Sequence, residues 1–212
     1  MIYDGDRLPK QDNDLDLGSP SRRWRKGYFG TDLRVGGGLW EDLRFPAQGI
    51  NPVGSTAPPA VNTTTGMLEF SGTADNIIAG VAQMPHGWLQ GTAIAPHIHL
   101  LFPTLGSAKA SRWKLQYEIA NVSGSFPSAY GTYAGSDTIT VANPNDIDLH
   151  VLASFTPIDM SGKHVSCCMM WRISRLAASD AADNDTSTII FLEFDIHYRA
   201  DSGGSILETT KT

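Results

Sequence analysis

The sequence has very little cysteine, no long apolar run and a deficit of cations. Its two cysteines, Cys167 and Cys168, are adjacent. Neighbours in an extended chain point to opposite faces, so a bond between them would strain the backbone, and both are read as free thiols. No cysteine spacing suits a zinc site, and neither a G-x-S-x-G elbow, a P-loop nor a dinucleotide fingerprint occurs. No stretch approaches the roughly 18 to 20 apolar residues of a membrane helix. The opening MIYDGDRLPKQD lacks the apolar core of a signal peptide, so the expectation is a soluble protein made in a cytoplasm, with no membrane insertion. With 16 Lys and Arg against 22 Asp and Glu, the net charge is -6 and the pI about 5.4. That balance argues against a duty of covering phosphates, and no nucleic-acid partner is expected.

What the sequence does have is turn chemistry. Charged residues are only 18% of the chain, while Gly (21) and Pro (12) are plentiful. Strands joined by turns suit this composition better than helices with salt-bridged faces. The clearest strand is RWKLQYEIA, where Trp113, Leu115, Tyr117 and Ile119 share one face and Arg112, Lys114, Gln116 and Glu118 the other. Similar signals occur at 67–71, 76–82, 93–102, 137–142, 148–156, 163–176 and 187–199. Eight strands and no competing amphipathic helix predict an all-β fold: an antiparallel β-sandwich, most economically an eight-stranded jelly roll. Ahead of it, residues 1–18 are acidic and too poor in apolar residues to pack alone. Short apolar beads among glycines follow, ending in LWEDLRFP. The segment 46–66 holds Pro46, Pro52, Pro58 and Pro59 and reads as an extended linker. The expected organisation is an N-terminal arm and stalk over 1–45, a linker over 46–66 and a sandwich head over 67–212.

The stretch DLGSPSRRWRKGYFGTDLRVGG sets four cations around Trp24 in an acidic chain. It is too short, and too close behind five aspartates, to make a convincing nucleic-acid or lipid patch. A solvated charge run beside one buried tryptophan is the plainer reading. The segment also resembles a short module of tail fibres, tailspikes and other appendages of tailed bacteriophages, matched at Leu17, Gly18, Ser19, Arg23, Trp24, Tyr28, Phe29, Gly30 and Val35. LWEDLRFPAQGINP, VAQMPHGW, PHIHL and LEFDIHYRADSGGS resemble a family of uncharacterised phage virion proteins. The resemblance implies a homotrimer whose glycine-rich stalks intertwine. It also implies docking to other virion proteins of tail, neck or capsid through Arg23, Trp24, Tyr28, Phe29 and Trp40, in a virion assembled in the host cytoplasm. On this reading the protein is not an enzyme. A capsid decoration protein is the alternative within the same class.

The sharpest chemical signal is PHIHL. In a strand His97 and His99 lie on one face about 7 Å apart, close enough to share a metal ion. The run G-x5-H-x-H resembles the first motif of cupins, but the glutamate expected a few residues later is missing. In the last strand Glu193, Asp195 and His197 alternate with Phe194, Ile196 and Tyr198. If that strand neighbours 93–102, His97 and His99 with His197 or Asp195 resemble a facial triad. A structural metal at His97 and His99 is thus one possibility, a cupin-like metal enzyme or carbohydrate-binding module another, and inert hydrogen-bonded histidines the third. His86 and His150 have no partner in reach by spacing. A carboxylate pair for glycoside hydrolysis requires only spatial proximity, and nothing in the sequence points to one. Trp88, Tyr130 and Tyr133 are read as exposed rings able to stack on sugars, the two tyrosines in a loop suited to a host-surface glycan.

Overall fold

The structure, a computed structural model, describes residues 39–50, 52–53, 58–104, 108–128, 132–201 and 207–209. The arm over 1–38, with Arg23, Trp24, Tyr28 and Phe29, lies outside the described residues, as does Tyr130. The described residues form ten strands: β1 (Leu39–Pro46), β2 (Ala60–Val61), β3 (Leu68–Phe70), β4 (Asn76–Gln83), β5 (Ala95–Phe102), β6 (Ala110–Ala120), β7 (Gly135–Ala142), β8 (Leu149–Ser154), β9 (Cys168–Arg175) and β10 (Ile189–Ala200). One short 3-10 turn, Ala47–Gly49, is the only helix among the described residues, and no helix is long and apolar enough to cross a membrane.

The fold is an all-β antiparallel sandwich. The larger sheet runs β2-β3-β10-β5-β8 and the smaller β4-β9-β6-β7. From β3 to β10 the chain crosses between sheets at every step except the β6–β7 hairpin, which is jelly-roll connectivity. β10 organises the larger sheet. One of its edges holds β5, and the other is divided between β3 at Ile189–Phe191 and β1 at Glu193–Ala200.

All eight stretches read as strands in the sequence are strands. Their inward rows meet between the sheets, where Trp113, Leu115, Trp171, Ile173, Ile98, Leu100, Phe191 and Phe194 are fully or almost fully buried. Aromatic rings tie the layers together: Phe70 lies 4.9 Å from Trp113, and Trp171 lies 4.8 Å from Phe194. Cys167 and Cys168 are both free. Burial pushes the Cys167 thiol up to about 11, so it behaves as a small core residue and not as a nucleophile.

The head begins earlier than the sequence reading placed it. Leu39–Pro46, assigned there to the stalk, pairs along its whole length with β10. Leu43 and Phe45 pack against the core, while Asp42 and Arg44 point outward. The linker assigned to 46–66 also belongs to the sandwich in part. Ala47 and Ile50 are buried, Pro52 bridges to Ile78, and β2 extends the larger sheet. The reason is physical: LWEDLRFP holds only four apolar side chains, of which Leu43 and Phe45 alone are partly buried, and its alternation acquires meaning from the edge of β10 that it covers.

One end of the sandwich is closed by a charge. Arg175 ends the inward row Met169, Trp171, Ile173 and is completely buried. Its five N–H groups have five acceptors. Nε and Nη2 reach the Asp183 carboxylate at 3.1 and 3.2 Å, Nη1 reaches Phe70 O at 3.2 Å and Ser187 O at 2.8 Å, and Nη2 donates to Asp185 O. The guanidinium therefore joins β9 of one sheet to β3 of the other and to the loop that delivers β10. Gly72 lets that loop approach, because a Cβ there would stand 2.2 Å from the Thr186 carbonyl carbon. Removing one partner of a buried pair strands the other charge in the core. Arg175→Met and Asp183→Asn are each expected to lower the unfolding free energy by about 3–5 kcal/mol, read from urea denaturation. A loss below about 1 kcal/mol, the level of an exposed pair, contradicts this account.

Candidate functional site

The side chains that carry chemistry lie on the outer face of the larger sheet, not between the sheets. In β5, Pro96, Ile98, Leu100 and Phe102 point to the core, which turns His97 and His99 outward. In β10 the phase changes at a bulge between Phe191 and Glu193. Ile189 and Phe191 face inward before it, and Phe194, Ile196 and Tyr198 face inward after it. The extra residue therefore aims Glu193, Asp195 and His197 outward, opposite His99, His97 and Ala95. β8 adds His150 and β1 adds Asp42 and Arg44. Together these strands line an open groove of about 730 Å³.

Although on an outer face, the side chains at the centre of the groove are buried. His97 and Asp195 are 7% and 4% exposed. His97 Nε2 lies 3.6 Å and His99 Nε2 lies 3.2 Å from Asp195 Oδ2. The other nitrogens are engaged: His97 Nδ1 is 3.4 Å from Ala95 O, and His99 Nδ1 shares a 2.7 Å hydrogen bond with His150 Nε2. Arg44 grips Glu193 in a bidentate pair at 2.8 and 2.5 Å, walling the groove on the β1 side. His99 Nε2 and Asp195 Oδ1 are buried without a hydrogen-bond partner.

Of the residues singled out in the sequence, His97, His99 and Asp195 come together, with ligand atoms all within 4.8 Å of one another. His197 stands apart: its Nδ1 is 3.4 Å from Asp42 Oδ1, and its ring meets the edge of Trp40 at 4.7 Å. Trp40 is 60% exposed beside the groove. Sequence spacing left His150 without a partner, yet register sets Leu101 of β5 opposite it and brings its ring 4.9 Å from that of His99. His86 Nε2 lies 2.9 Å from Ser166 Oγ. Trp88, expected to be exposed, is fully buried, with Nε1 donating to Thr92 Oγ1 at 3.1 Å. It is part of the core and not a sugar platform. Tyr133 is half-buried and lines no part of the groove. Asp42, Arg44 and Glu193 were missed as a group because pairing of β1 with β10 is what assembles them.

Charge in the groove is unevenly held. The facing Asp195 carboxylate raises the pKa of His97 above the usual 6.5, with the Ala95 carbonyl adding to it against the opposing effect of burial. Burial lowers that of His99, and Asp195 offsets this only in part. Burial would raise Asp195, but the facing His97 and His99 imidazoles outweigh that and hold it below the usual carboxylate range.

The fold and the site thus define a jelly-roll β-sandwich protein with an imidazole- and carboxylate-lined groove on its larger sheet. No protein-family model matches the chain, and no curated protein matches its sequence. Solved structures similar to it include the enzymatically active domain of bacteriophage CBA120 tailspike protein 4, with TM-score 0.34, 6% identity, and coverage of 74% of this chain and 19% of that one. Another is the arabinose-bound α-L-arabinofuranosidase MgGH51, with TM-score 0.33, 12% identity, and coverage of 79% and 24%. A third is the C-terminal family 22 carbohydrate-binding module of Clostridium thermocellum Xyn10B, with TM-score 0.34, 15% identity, and coverage of 85% and 92%. The chain spans about a fifth of the tailspike domain and a quarter of the arabinofuranosidase. Scores and identities at this level transfer no function.

The two histidines are expected to titrate on opposite sides of 6.5 in metal-free protein. His97 binds its proton more tightly when folded, so its contribution to stability is complete below about pH 6.5 and disappears as pH rises through its folded value. His99 binds its proton less tightly when folded, so its contribution is present above about pH 6.5 and lost as pH falls through its folded value. Histidine ring NMR resolves the two, and coincident titration contradicts the geometry.

Proposed function

We propose that this chain is a structural component of a tailed-phage virion: a homotrimeric fibre or appendage subunit, held on the particle by its N-terminal arm and presenting the jelly roll as its head. The observation that carries this reading is how the sandwich begins. β1 is an edge strand paired only with β10, and its leading residues Leu39 and Trp40 are 54% and 60% exposed. The 38 residues before them are the stretch with the appendage-like sequence. Among the described residues this apolar pair stays more than half exposed. Two further copies or a docking protein would cover it, and burial of Trp40 with Trp24, Tyr28 and Phe29 would offset the entropy lost in ordering the arm. The protein then works by assembly and contact, not by turnover. Placement on the head shell as a decoration protein is the same physics at another address.

The groove supports an alternative to the burial of Trp40, recognition of a host-surface glycan by a head whose Trp40 stays exposed. It is open, it is lined by hydrogen-bonding side chains, and the exposed face of Trp40 stands beside it, where a sugar ring can stack. On this reading Trp40, not Tyr130 or Tyr133, is the aromatic that matters.

Light scattering of the full chain is expected to give three times the 22.9 kDa subunit mass. Deleting residues 1–38 is expected to leave a cooperatively folding head that no longer enters particles. Deleting 1–45 removes most of β1 as well and lowers the head's stability. A monomeric full-length protein, or normal incorporation of the shorter truncation, overturns the reading.

A further inference from the structure

We propose that His97, His99 and Asp195 form a binding site for one divalent transition-metal ion of the zinc type, facing the groove. The site stands whether or not the chain belongs to a virion.

Start with the protons. When the His99 Nδ1–H donates to His150 Nε2, His99 Nε2 carries a lone pair directed into the cluster. His97 is held the same way, its Nδ1 near the Ala95 carbonyl and its Nε2 turned inward. Imidazole ligands of metals ordinarily donate their second ring N–H to a neighbouring acceptor, which sets the tautomer and aims the ring. Both rings of this pair are so arranged. The lone pair of His99 Nε2 then confronts Asp195 Oδ2 at 3.2 Å, with no hydrogen bond between them. Two acceptors at that distance repel unless a cation lies between them. Asp195 Oδ1 is likewise buried and unpartnered, in a residue 96% buried by the measure of its 4% exposure. An orphaned buried acceptor costs free energy that a bound ion would recover.

Both nitrogen–oxygen separations fit a shared ion, whereas the ligand atoms as a set span up to 4.8 Å, so the two imidazoles draw together as the ion binds. With metal–ligand bonds of about 2.1 Å, two ligand atoms are separated by about 3.0 Å at a right angle and about 3.4 Å at the tetrahedral angle. The Asp195 oxygen is 3.2 Å from one nitrogen and 3.6 Å from the other. Donor chemistry chooses the metal, because two imidazoles and one carboxylate favour zinc, iron(II) and their neighbours over the oxygen-seeking calcium and magnesium. Three protein ligands leave coordination positions open on the groove side. His197 lies outside the set of mutually close ligand atoms, and His150 acts by orienting His99.

The test is calorimetric titration of the metal-free full-length protein with Zn2+, with Co2+ as a spectroscopic probe. The expected result is saturable binding of one ion per chain, a visible Co2+ spectrum of nitrogen and oxygen ligation, and paramagnetic shifts largest on the rings of His97 and His99 and smaller on those of His150 and His197. His99→Gln and Asp195→Asn are expected to weaken Zn2+ binding by more than about tenfold. His150→Ala acts through His99 and is expected to weaken it less. His164→Ala, remote from the groove, is expected to change nothing. The wild-type paramagnetic shifts identify the ligands even if a variant fails to fold. Absence of saturable binding by either ion overturns the proposal and leaves the cluster as an ion pair of His97 with Asp195. Binding that survives both groove variants, or shifts centred on His86 or His164, overturns it as well.

Discussion

The sandwich depends on one buried cation. Two sheets that share no backbone ladder are held by apolar contact, which is strong but does not fix how one layer sits on the other. Arg175 supplies that direction. Its guanidinium is completely buried, so each of its five donors must find a protein acceptor, and these come from β3, Asp183 and the backbone of the 185–187 loop. Asp183 in turn accepts from the backbone N–H of Arg112 at 3.0 Å, which draws β6 into the same junction. A slip of one layer against the other would break several of these bonds together. The apolar core supplies most of the cohesion, and the buried charge adds five directional bonds across the layers.

Because the 183–187 loop leads into β10, the clamp also sets where the longest strand begins. Ile189 starts opposite Phe70, and the inward alternation runs from there until the bulge after Phe191. That single extra residue separates a core strand from a functional one. Without it the phase set by Ile189 and Phe191 would drive Glu193, Asp195 and His197 into the core. With it they stand on the outer face, facing His97 and His99 across one ladder and Asp42 and Arg44 across the other. Core packing and groove chemistry are thus two consequences of one register.

The groove also explains why polar groups on an outer face become buried. β1 covers the side of β10 away from β5, and the Arg44–Glu193 pair and the Asp42–His197 contact build a wall against the Asp195 carboxylate. The strand that leads from the arm into the head is therefore part of the groove. Any partner that holds Leu39 and Trp40 touches the same strand that presents Asp42 and Arg44, which places attachment and ligand contact on one element.

Strand positions were legible in the sequence because a half-buried strand writes its own burial in alternate residues: Trp113, Leu115, Tyr117 and Ile119 announce β6 with no help from the rest of the chain. The histidine pair was legible for the same reason, since residues two apart in a strand share a face. So were Asp195 and His197 as candidates. The choice between them was not legible, nor were the partnership of His150 with His99, the burial of Trp88 and of Arg175, or the place of Leu39–Pro46 in the larger sheet. Each of these is decided by which strands become neighbours and in what register. Local alternation tells a residue which side of its own strand it occupies, and only long-range pairing tells it what stands opposite.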